Sequence, residues 1–310
     1  MPNQHGSTTG YLHADYAASL GEFGNPHYLP RCGGWVLKRH IPGFPDFDAM
    51  GCYPLFSCQD WGRLDTDLND LGGDLVSLSV VTDPFGDYNP TYLRKCFPDV
   101  VIPFKEHYIV DLSCSPNSFV SAHHRRNVRK SLPKLQIDCC SDPRQLIGDW
   151  TELYDVLIKR HQIRGISAFS RAAFAKQLEI PGLVAFSARQ QEDVVGMLLW
   201  YVQGKVGYYH LGAYSSTGYE SGAAFALFSV ALDYFSSYGL RWLNLGAGAG
   251  NSTSGADGLS RFKRGWSSGV RPAYLCGRIF DRHKYSEIVT ASGLSDTNYF
   301  PAYRQGEFGG

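Results

Sequence analysis

The sequence of 310 residues contains no run of about eighteen apolar residues, the length that a helix needs to cross a bilayer. Its polar start, with Gln4, His5 and Ser7, has neither the cationic residues nor the apolar stretch of a signal peptide. Net charge is absent too, because 29 Lys and Arg residues balance 29 Asp and Glu residues. Global attraction to nucleic acid or to an anionic membrane is therefore excluded, whereas a local basic patch is not. We expect a cytoplasmic protein without a membrane span.

Motifs for metal, nucleotide and serine chemistry are missing as well. The eight cysteines are scattered, without a C-x-x-C pair or a Cys/His cluster, and so predict reduced, mostly buried thiols and no zinc site. The absence of a P-loop disfavours a nucleotide-dependent enzyme, and no G-x-S-x-G elbow provides a serine nucleophile. We therefore expect no permanently bound cofactor and no metal.

What the sequence does contain is enough apolar surface for more than one domain. Hydrophobic residues make up 44% of it and charged residues 19%, and the chain is too long for one ordinary domain. We predict an N-terminal arm over 1–30, a first domain over 31–140 with β-branched runs typical of strands, and a second domain over 141–282. Aromatic residues in the tail, 283–310, indicate that it packs back on the body.

The second half has the clearer pattern of elements. Apolar spacing predicts a helix over Arg144–His161 and a second helix capped by Ser170. The elements that follow are predicted as strands at Leu183–Ala188, Val194–Val202 and Lys205–Tyr214, a helix at Ala223–Tyr238, a strand at Leu240–Leu245, a short helix at Leu259–Arg264 and a strand at Tyr274–Phe280. A doubly wound sheet would alternate strand and helix from its start, so this order excludes it.

Three segments add sequence detail to that order. They are the basic stretch Ala122–Ser131 (AHHRRNVRKS), the stretch Gly218–Leu227 that leads into Leu243–Gly246, and Asp257–Trp266 (DGLSRFKRGW). Together they resemble the GNAT superfamily, and within it the Fem-type aminoacyltransferases with tandem GNAT domains. The resemblance implies an α/β fold of tandem GNAT-like domains, in which a mixed, mostly antiparallel sheet is flanked by helices. Residues 31–140 would then be a degenerate GNAT-like domain and 141–282 the acyltransferase domain.

One segment departs from the acetyl-CoA-using members. Their pyrophosphate loop reads Q/R-x-x-G-x-G/A, whereas Ser215–Ala223 has differently spaced glycines, no leading Arg or Gln, and Glu220 where phosphate would lie. This favours aminoacyl-tRNA over acyl-CoA as the co-substrate. The resemblance places donor binding at the following residues: Ser216, Thr217, Gly218, Tyr219 and Phe262.

Aminolysis of an ester or thioester needs a neutral amine, a positioned carbonyl and a stabiliser for the developing oxyanion. Lys263 matches the lysine of the Fem-type segment that neutralises this charge; the alternative is a cation on a solvated helix face. His210 lies in an alternating strand and is a candidate base, or else a hydrogen-bonded structural histidine. Asn244 ends a short strand and would bind the amide of donor or acceptor, or else cap the turn.

Two groups of residues are candidates for binding. A basic patch for phosphates of tRNA, a nucleotide-linked acceptor or CoA, with a solvated charged face as the alternative, consists of Arg125, Arg126, Arg129 and Lys130. The acceptor side of a GNAT domain would hold Arg160, His161, Arg164 and Tyr209. The strand tyrosines alternate, so half of them must enter the core.

The sequence thus predicts an acyltransferase that moves an acyl group, favouring aminoacyl from tRNA, onto an amine of a small molecule, peptide or cell-wall precursor. The alternatives are an acyl-CoA-dependent N-acyltransferase and, from another class, a non-catalytic ligand-binding or scaffold module. Whether Lys263 and His210 face one open cleft separates the enzyme from the scaffold. We expect a monomer or homodimer, with tRNA as a candidate partner.

Overall fold

The computed structural model describes residues 8–249, 257–294 and 297–307. Its strands are β1 (Asn25–Leu29), β2 (Gly34–His40), β3 (Phe47–Gly51), β4 (Ser77–Val81), β5 (Val100–Asp111), β6 (Gln136–Cys140), β7 (Leu183–Gln190), β8 (Asp193–Gln203), β9 (Val206–Tyr214), β10 (Trp242–Gly246) and β11 (Gly269–Ile279). Its helices are α1 (Ala14–Ser19), α2 (Leu64–Asp70), α3 (Pro90–Cys96), α4 (Pro116–Phe119), α5 (Ala122–Ser131), α6 (Ile147–His161), α7 (Arg171–Gln177), α8 (Ser216–Ser221), α9 (Ala223–Tyr238), α10 (Gly258–Arg264) and α11 (Arg282–Ala291).

Contacts between Cα atoms divide the chain into two compact units. The first unit holds 106–163 and 168–271, together with the N-terminal residues as far as Gly10. The second unit holds 11–105, 164–167 and the residues from Pro272 onward. These units divide the chain at other points than the predicted domains 31–140 and 141–282. The reason is that part of β5 pairs with β10, and α5 packs on α9, so both stretches belong with the later elements.

The first unit is built on a mixed sheet with the strand order β5-β10-β9-β8-β7-β6. Neighbouring strands are antiparallel except β9 and β10, which run parallel. That parallel pair joins Trp242–Asn244 only to Val206–Tyr208, after which β9 continues to Tyr214 and β10 ends at Gly246. The two strands therefore diverge in the middle of the sheet.

Helix α9 covers one face of this sheet. Its side chains Phe228 and Phe235 are buried and contact Trp200 of β8, with ring centroids 5.9 and 5.2 Å away. Full burial of one such side chain stabilises the fold by about 1.5–3 kcal/mol. Because α9 is apolar around most of its circumference, it is held between the sheet and α5 rather than at the surface.

The strands of the second unit are hydrogen-bonded in the order β1-β2-β3-β4-β11, and among these neighbours only β3 and β4 are parallel. Its core includes Trp61, Leu78 and Phe97. Within residues 8–30, predicted as part of a loose arm, α1 and β1 form instead, because Tyr16 is fully buried and its hydroxyl donates to the Tyr53 carbonyl at 2.6 Å. From the tail, the Tyr303 hydroxyl lies 2.7 Å from Ser77 Oγ on β4.

The predicted α/β class, with a mixed, mostly antiparallel sheet flanked by helices, is confirmed. In the second half, each predicted helix and strand is present within a few residues of its expected bounds. The apolar runs on either side of Pro103 belong to one strand, β5. Pro103 is exposed there, and its fixed φ is compatible with extended backbone.

Candidate active site

Lys263 lies beside the point where β9 and β10 diverge. Helix α10, which carries it, begins at the Asp257 cap, whose side chain accepts the Ser260 N–H at 2.9 Å. The Lys263 side chain is only 6% exposed. Its Nζ donates to the Ala247 carbonyl at 2.6 Å and lies 5.5 Å from the centre of the Tyr209 ring. The ammonium is thus enclosed near the end of β10, which argues against the alternative of a cation on a solvated face.

Asn244, within β10, stabilises the backbone at the end of that strand, next to the Ala247 carbonyl that Lys263 contacts. Its Oδ1 accepts the Gly246 N–H at 2.9 Å and lies 3.0 Å from His107 Nδ1. Because a carbonyl oxygen only accepts, Nδ1 of His107 must carry the proton, which fixes the tautomer of the neutral ring. Asn244 and His107 are both buried, so Asn244 orders the strand end, as in its alternative role, rather than presenting an exposed amide.

His107 was not identified from the sequence. It lies within β5, directly before the apolar run Tyr108-Ile109-Val110, and nothing in the sequence separates it from an ordinary strand residue. Its partner Asn244 lies 137 residues away, and no local pattern connects the two.

The structure does not support the predicted catalytic role of His210. Its Nε2 lies 3.2 Å from Gln177 Oε1, and its ring is within 5.9 Å of Phe169 and 5.0 Å of Tyr201. Burial lowers the pKa of His210 to about 3, so the ring is neutral near pH 7. This is the hydrogen-bonded structural histidine of the alternative interpretation.

The predicted catalytic residues Lys263 and His210 lie on opposite faces of the sheet, as the neighbouring strand residues Tyr209 and His210 show. Tyr209 contacts Trp200 of β8 and Phe228 of α9 on the face near Lys263, whereas His210 contacts Tyr201, the next residue of β8. His210 therefore lies on the other face, toward α7. Burial also raises the pKa of Tyr209, so its hydroxyl stays protonated. Tyr209, which was predicted for the acceptor side, is thus the residue of β9 whose ring lies next to the Lys263 ammonium.

The predicted donor loop is mostly a helix. Ser216, Thr217, Gly218 and Tyr219 all belong to α8, whose cap Ser215 accepts the Gly218 N–H at 3.1 Å. Gly218 is buried against β8, whereas Ser216 and Thr217 are exposed. Phe262 instead packs on Phe225 and Phe228 of α9, with ring centroids 5.3 and 5.0 Å away, and belongs to the core more than to a donor site.

The basic patch divides into two kinds of residue. Arg125 donates to the Val120 carbonyl and, at 3.4 Å, to the Asn117 carbonyl, which ties α5 to the end of α4. Arg126, Arg129 and Lys130 are exposed on the outer side of α5. Of the four residues of the predicted patch, these three present a cationic surface.

The remaining acceptor-side residues are not gathered in one place. Arg160, at the end of α6, stacks on Tyr219 with its guanidinium carbon 4.1 Å from the ring centre. His161 ends the same helix and is exposed. Arg164 belongs to the second unit and is not part of the arrangement described for the first.

Two global properties bear on function. Among the described residues, no three His, Cys, Asp or Glu side chains are arranged to hold a metal ion. Within the same part of the chain, no helix combines the length and the apolar character needed to cross a membrane.

Comparison with known proteins finds a family that matches part of the sequence and solved structures that have a similar fold. Residues 122–264 match the family described as "Acetyltransferase (GNAT) domain". No curated protein sequence matches the chain. The crystal structure of FemX has a TM-score of 0.65 at 13% identity and covers 89% of this chain and 93% of its own.

Two further structures share the fold. L-PGS from Bacillus licheniformis has a TM-score of 0.60 at 15% identity, over 93% of this chain and 98% of its own. The C-terminal domain of a putative lysylphosphatidylglycerol synthetase from Agrobacterium fabrum has a TM-score of 0.59 at 14% identity, over 90% and 91%. These structures confirm the Fem-type fold, and the family match confirms the predicted acyltransferase. Residues 122–264 are thus similar to the GNAT acetyltransferase family, within a fold that the chain shares with FemX.

Proposed function

We propose that the first unit transfers an acyl group onto an amine where β9 and β10 diverge, with the Lys263 ammonium stabilising charge that develops in the transition state. The enclosed position of Lys263 is the observation that carries this proposal, since its Nζ already meets a backbone oxygen at 2.6 Å. A preorganised charge in a site with little water stabilises an oxyanion far more than the same charge at the surface. Because His210 faces away from Lys263, the two do not share one cleft, and this observation by itself favours the scaffold module. The match to an acetyltransferase family is what keeps the enzyme as the first proposal, without a catalytic histidine.

Aminoacyl-tRNA is the proposed donor. The amino end of α9, where a GNAT domain would hold a diphosphate, packs against α5: a Cβ at Gly222 would lie 2.7 Å from Ser131 Oγ. The Gly218 amide of α8 is already bonded to Ser215. The exposed cations of α5 provide a surface for phosphates in another place. One fold neighbour is a putative lysylphosphatidylglycerol synthetase, and the product in its name carries a lysyl group, which agrees with this donor. The proposed acceptor is an amine of a small molecule, peptide or cell-wall precursor.

An acyl-CoA-dependent N-acyltransferase is the second candidate, favoured by the acetyltransferase description of the matching family. The two donors are distinguished by incubating the protein with a mixture of charged tRNAs or with a panel of acyl-CoAs, each with a mixture of amines. RNase-sensitive loss of the aminoacyl ester is expected for the first donor, and release of free CoA thiol for the second. A protein that consumes neither donor would be the scaffold module.

Lys263→Met tests the site itself. The variant keeps most of the aliphatic stem, so the fold should survive, while single-turnover transfer at saturating donor should fall by about 10²–10³. Donor affinity should change little, because the charge that Lys263 meets develops only in the transition state. Lys263→Arg should restore part of the rate, since a planar guanidinium is a poor substitute for a point charge.

Lys205→Met is the matched control, because Lys205 is an exposed lysine of the same unit at the turn before β9. It should transfer at the wild-type rate, and the melting temperatures of both variants report on folding. A Lys263→Met rate within about threefold of wild type would remove Lys263 from the chemistry.

A further inference from the structure

We propose that His124 is a positioning residue for Lys263: it locks the end of α10 to the start of α5 and thereby fixes the lysine against β10. This inference rests on the proposed function of Lys263. Because His124 would act through the backbone of a neighbouring helix, it would contact neither substrate nor donor.

Both ring nitrogens of His124 are used within the protein. Nε2 lies 2.9 Å from the Phe262 carbonyl oxygen, and Nδ1 lies 2.8 Å from Ser121 Oγ. The carbonyl can only accept, so Nε2 must donate, and in the neutral ring Nδ1 accepts the Ser121 hydroxyl. The bonding pattern therefore selects one tautomer. A ring with both nitrogens so engaged and only 5% of its surface exposed is not placed to exchange protons with a substrate.

Packing holds the ring in this orientation. Its centroid lies 5.1 Å from that of Phe225, 5.4 Å from that of Phe262 and 5.2 Å from that of Trp266. Gly265 leaves the room that the ring needs, because a Cβ there would lie 2.0 Å from His124 Cε1. Any side chain at 265 would displace either the ring or the end of α10.

A backbone hydrogen bond reinforces the same junction. The Ser121 N–H donates to the Gly265 carbonyl at 2.9 Å, beside the bond from His124 to Phe262. The end of α10 is therefore tied to the start of α5 at two carbonyls. Lys263 lies between these two residues in sequence, and its side chain reaches the Ala247 carbonyl.

The consequence for catalysis is geometric. Because α10 is only seven residues long, a change at its last turn moves the whole helix, and with it the lysine. A misplacement of about 1 Å can cost about 10²-fold in rate. Loss of the His124 bond should therefore lower the transfer rate through Lys263 without changing donor affinity.

The test is a double-mutant cycle between His124→Phe and Lys263→Met. Phe keeps the ring and removes both hydrogen bonds, so single-turnover transfer should fall by about 10–100-fold while donor affinity stays constant. In the Lys263→Met background the same change should have almost no further effect, because the residue it positions is gone. His124→Gln places an amide donor near the Phe262 carbonyl and should recover part of the rate. His123→Gln, at the exposed neighbour on α5, is the matched control and should transfer like wild type.

A merely structural role would not produce this pattern. If His124→Phe slows transfer equally in both backgrounds, or stays within about threefold of wild type, the positioning role is wrong while the function of Lys263 stands. If Lys263→Met itself transfers like wild type, the proposed function fails, and with it any catalytic role of His124. Should His124→Phe not fold, Ser121→Ala keeps the ring but removes both the Nδ1 partner and the side-chain cap of α5. It is expected to give a smaller loss, about tenfold, with the same dependence on Lys263.

Discussion

At the scale of single residues, the site depends on which face of a strand a side chain occupies. Tyr209 and His210 are adjacent in sequence, yet one lies near Lys263 and the other bonds to Gln177 on the opposite face. The buried histidine needs the Gln177 partner, and its burial disfavours the protonated ring. That property belongs to the stability of the protein rather than to acyl transfer.

The first prediction concerns the stability of the fold in acid. The pKa of His210 is lowered from 6.5 to about 3 in the folded state, so above about pH 6.5 the ring is neutral in both folded and unfolded chains. As the pH falls from 6.5 toward 3, only the unfolded chain gains the proton, which lowers the free energy of unfolding by up to about 1.4 kcal/mol per pH unit. His210→Gln removes this contribution, so its free energy of unfolding should decline less steeply with acid than that of wild type.

Urea unfolding at pH 7, 6, 5 and 4 would measure both slopes. His161→Gln changes an exposed histidine of the same unit and should keep the wild-type slope. An unaltered slope in His210→Gln would mean that the ring is protonated in the folded protein. At neutral pH, His210→Gln should also transfer within about threefold of wild type, in contrast to a variant of a catalytic base.

At the scale of elements, α5 has an inner face that packs on α10 and an outer face that is exposed and cationic. His124 on its inner face bonds to α10, while Arg126, Arg129 and Lys130 lie on its outer face. Its first turn is stabilised by the Ser121 cap and by Arg125, whose guanidinium meets carbonyls of α4. The helix therefore connects an exposed cationic surface with the helix that carries Lys263.

The second prediction separates these roles by salt dependence. Arg129→Ala/Lys130→Ala should weaken binding of charged tRNA and reduce the slope of log affinity against log salt by about one to two. Arg125→Ala should leave that slope unchanged and instead lower the free energy of unfolding by about 1–3 kcal/mol, because the Val120 and Asn117 carbonyls lose their donor. Equal salt slopes in wild type and in the double variant would exclude this surface from donor binding.

Helix α8 depends on a close approach to β8. A Cβ at Gly218 would lie 1.9 Å from the Val195 carbonyl oxygen, which is backbone and cannot rotate away. Packing against β8 therefore requires glycine at position 218, whether or not a donor binds there.

The third prediction tests this packing. Gly218→Ala should lower the free energy of unfolding by about 1–3 kcal/mol, since α8 must move from the sheet. Gly148→Ala, in α6 with no atom within 4 Å of the added Cβ, is the matched control. It should leave the fold unchanged or stabilise it by up to about 1 kcal/mol through helix propensity. Equal denaturant midpoints for the two variants would contradict the close approach.

At the scale of the whole molecule, ion pairs between residues far apart in the sequence stabilise the second unit. Asp48 on β3 is fully buried, and its carboxylate accepts from Arg39 at 3.3 Å and from Arg304 at 2.8 and 2.9 Å. Arg39 also donates to Glu307 at 2.7 Å. Residues near both ends of the sequence are thus joined around one carboxylate.

The fourth prediction follows from the burial of these charges. Asp48→Asn would leave two buried guanidinium groups beside a neutral amide, and breaking a buried pair in this way costs about 3–5 kcal/mol in the free energy of unfolding. Asp46→Asn removes the more exposed pair with Lys284, at 2.7 Å, and should cost less than about 1 kcal/mol. Urea unfolding of both variants provides the comparison. Equal losses in the free energy of unfolding would show that the buried ion pairs of Asp48 stabilise the fold no more than the more exposed pair of Asp46.

The sequence by itself determined the elements of the second half. The Ser170 hydroxyl accepts the Ala173 N–H at 3.1 Å, as its position before an apolar helix predicts. Helix α9 spans the predicted Ala223–Tyr238 because no Gly or Pro interrupts the stretch before Gly239. Caps, periodicity and turn residues act over a few neighbours, so they can be read from sequence. The family segment around Lys263 is likewise continuous in the chain.

Only the tertiary structure decided which of these elements meet. His124 and the Phe262 carbonyl are 138 residues apart, and Asp48 and Arg304 are 256 residues apart. Periodicity tells which residues share a face of a strand or helix, but it contains no information about the element that covers that face. For that reason the buried state of Lys263 and the direction of His210 became known only once the partners of α10 and β9 were in place.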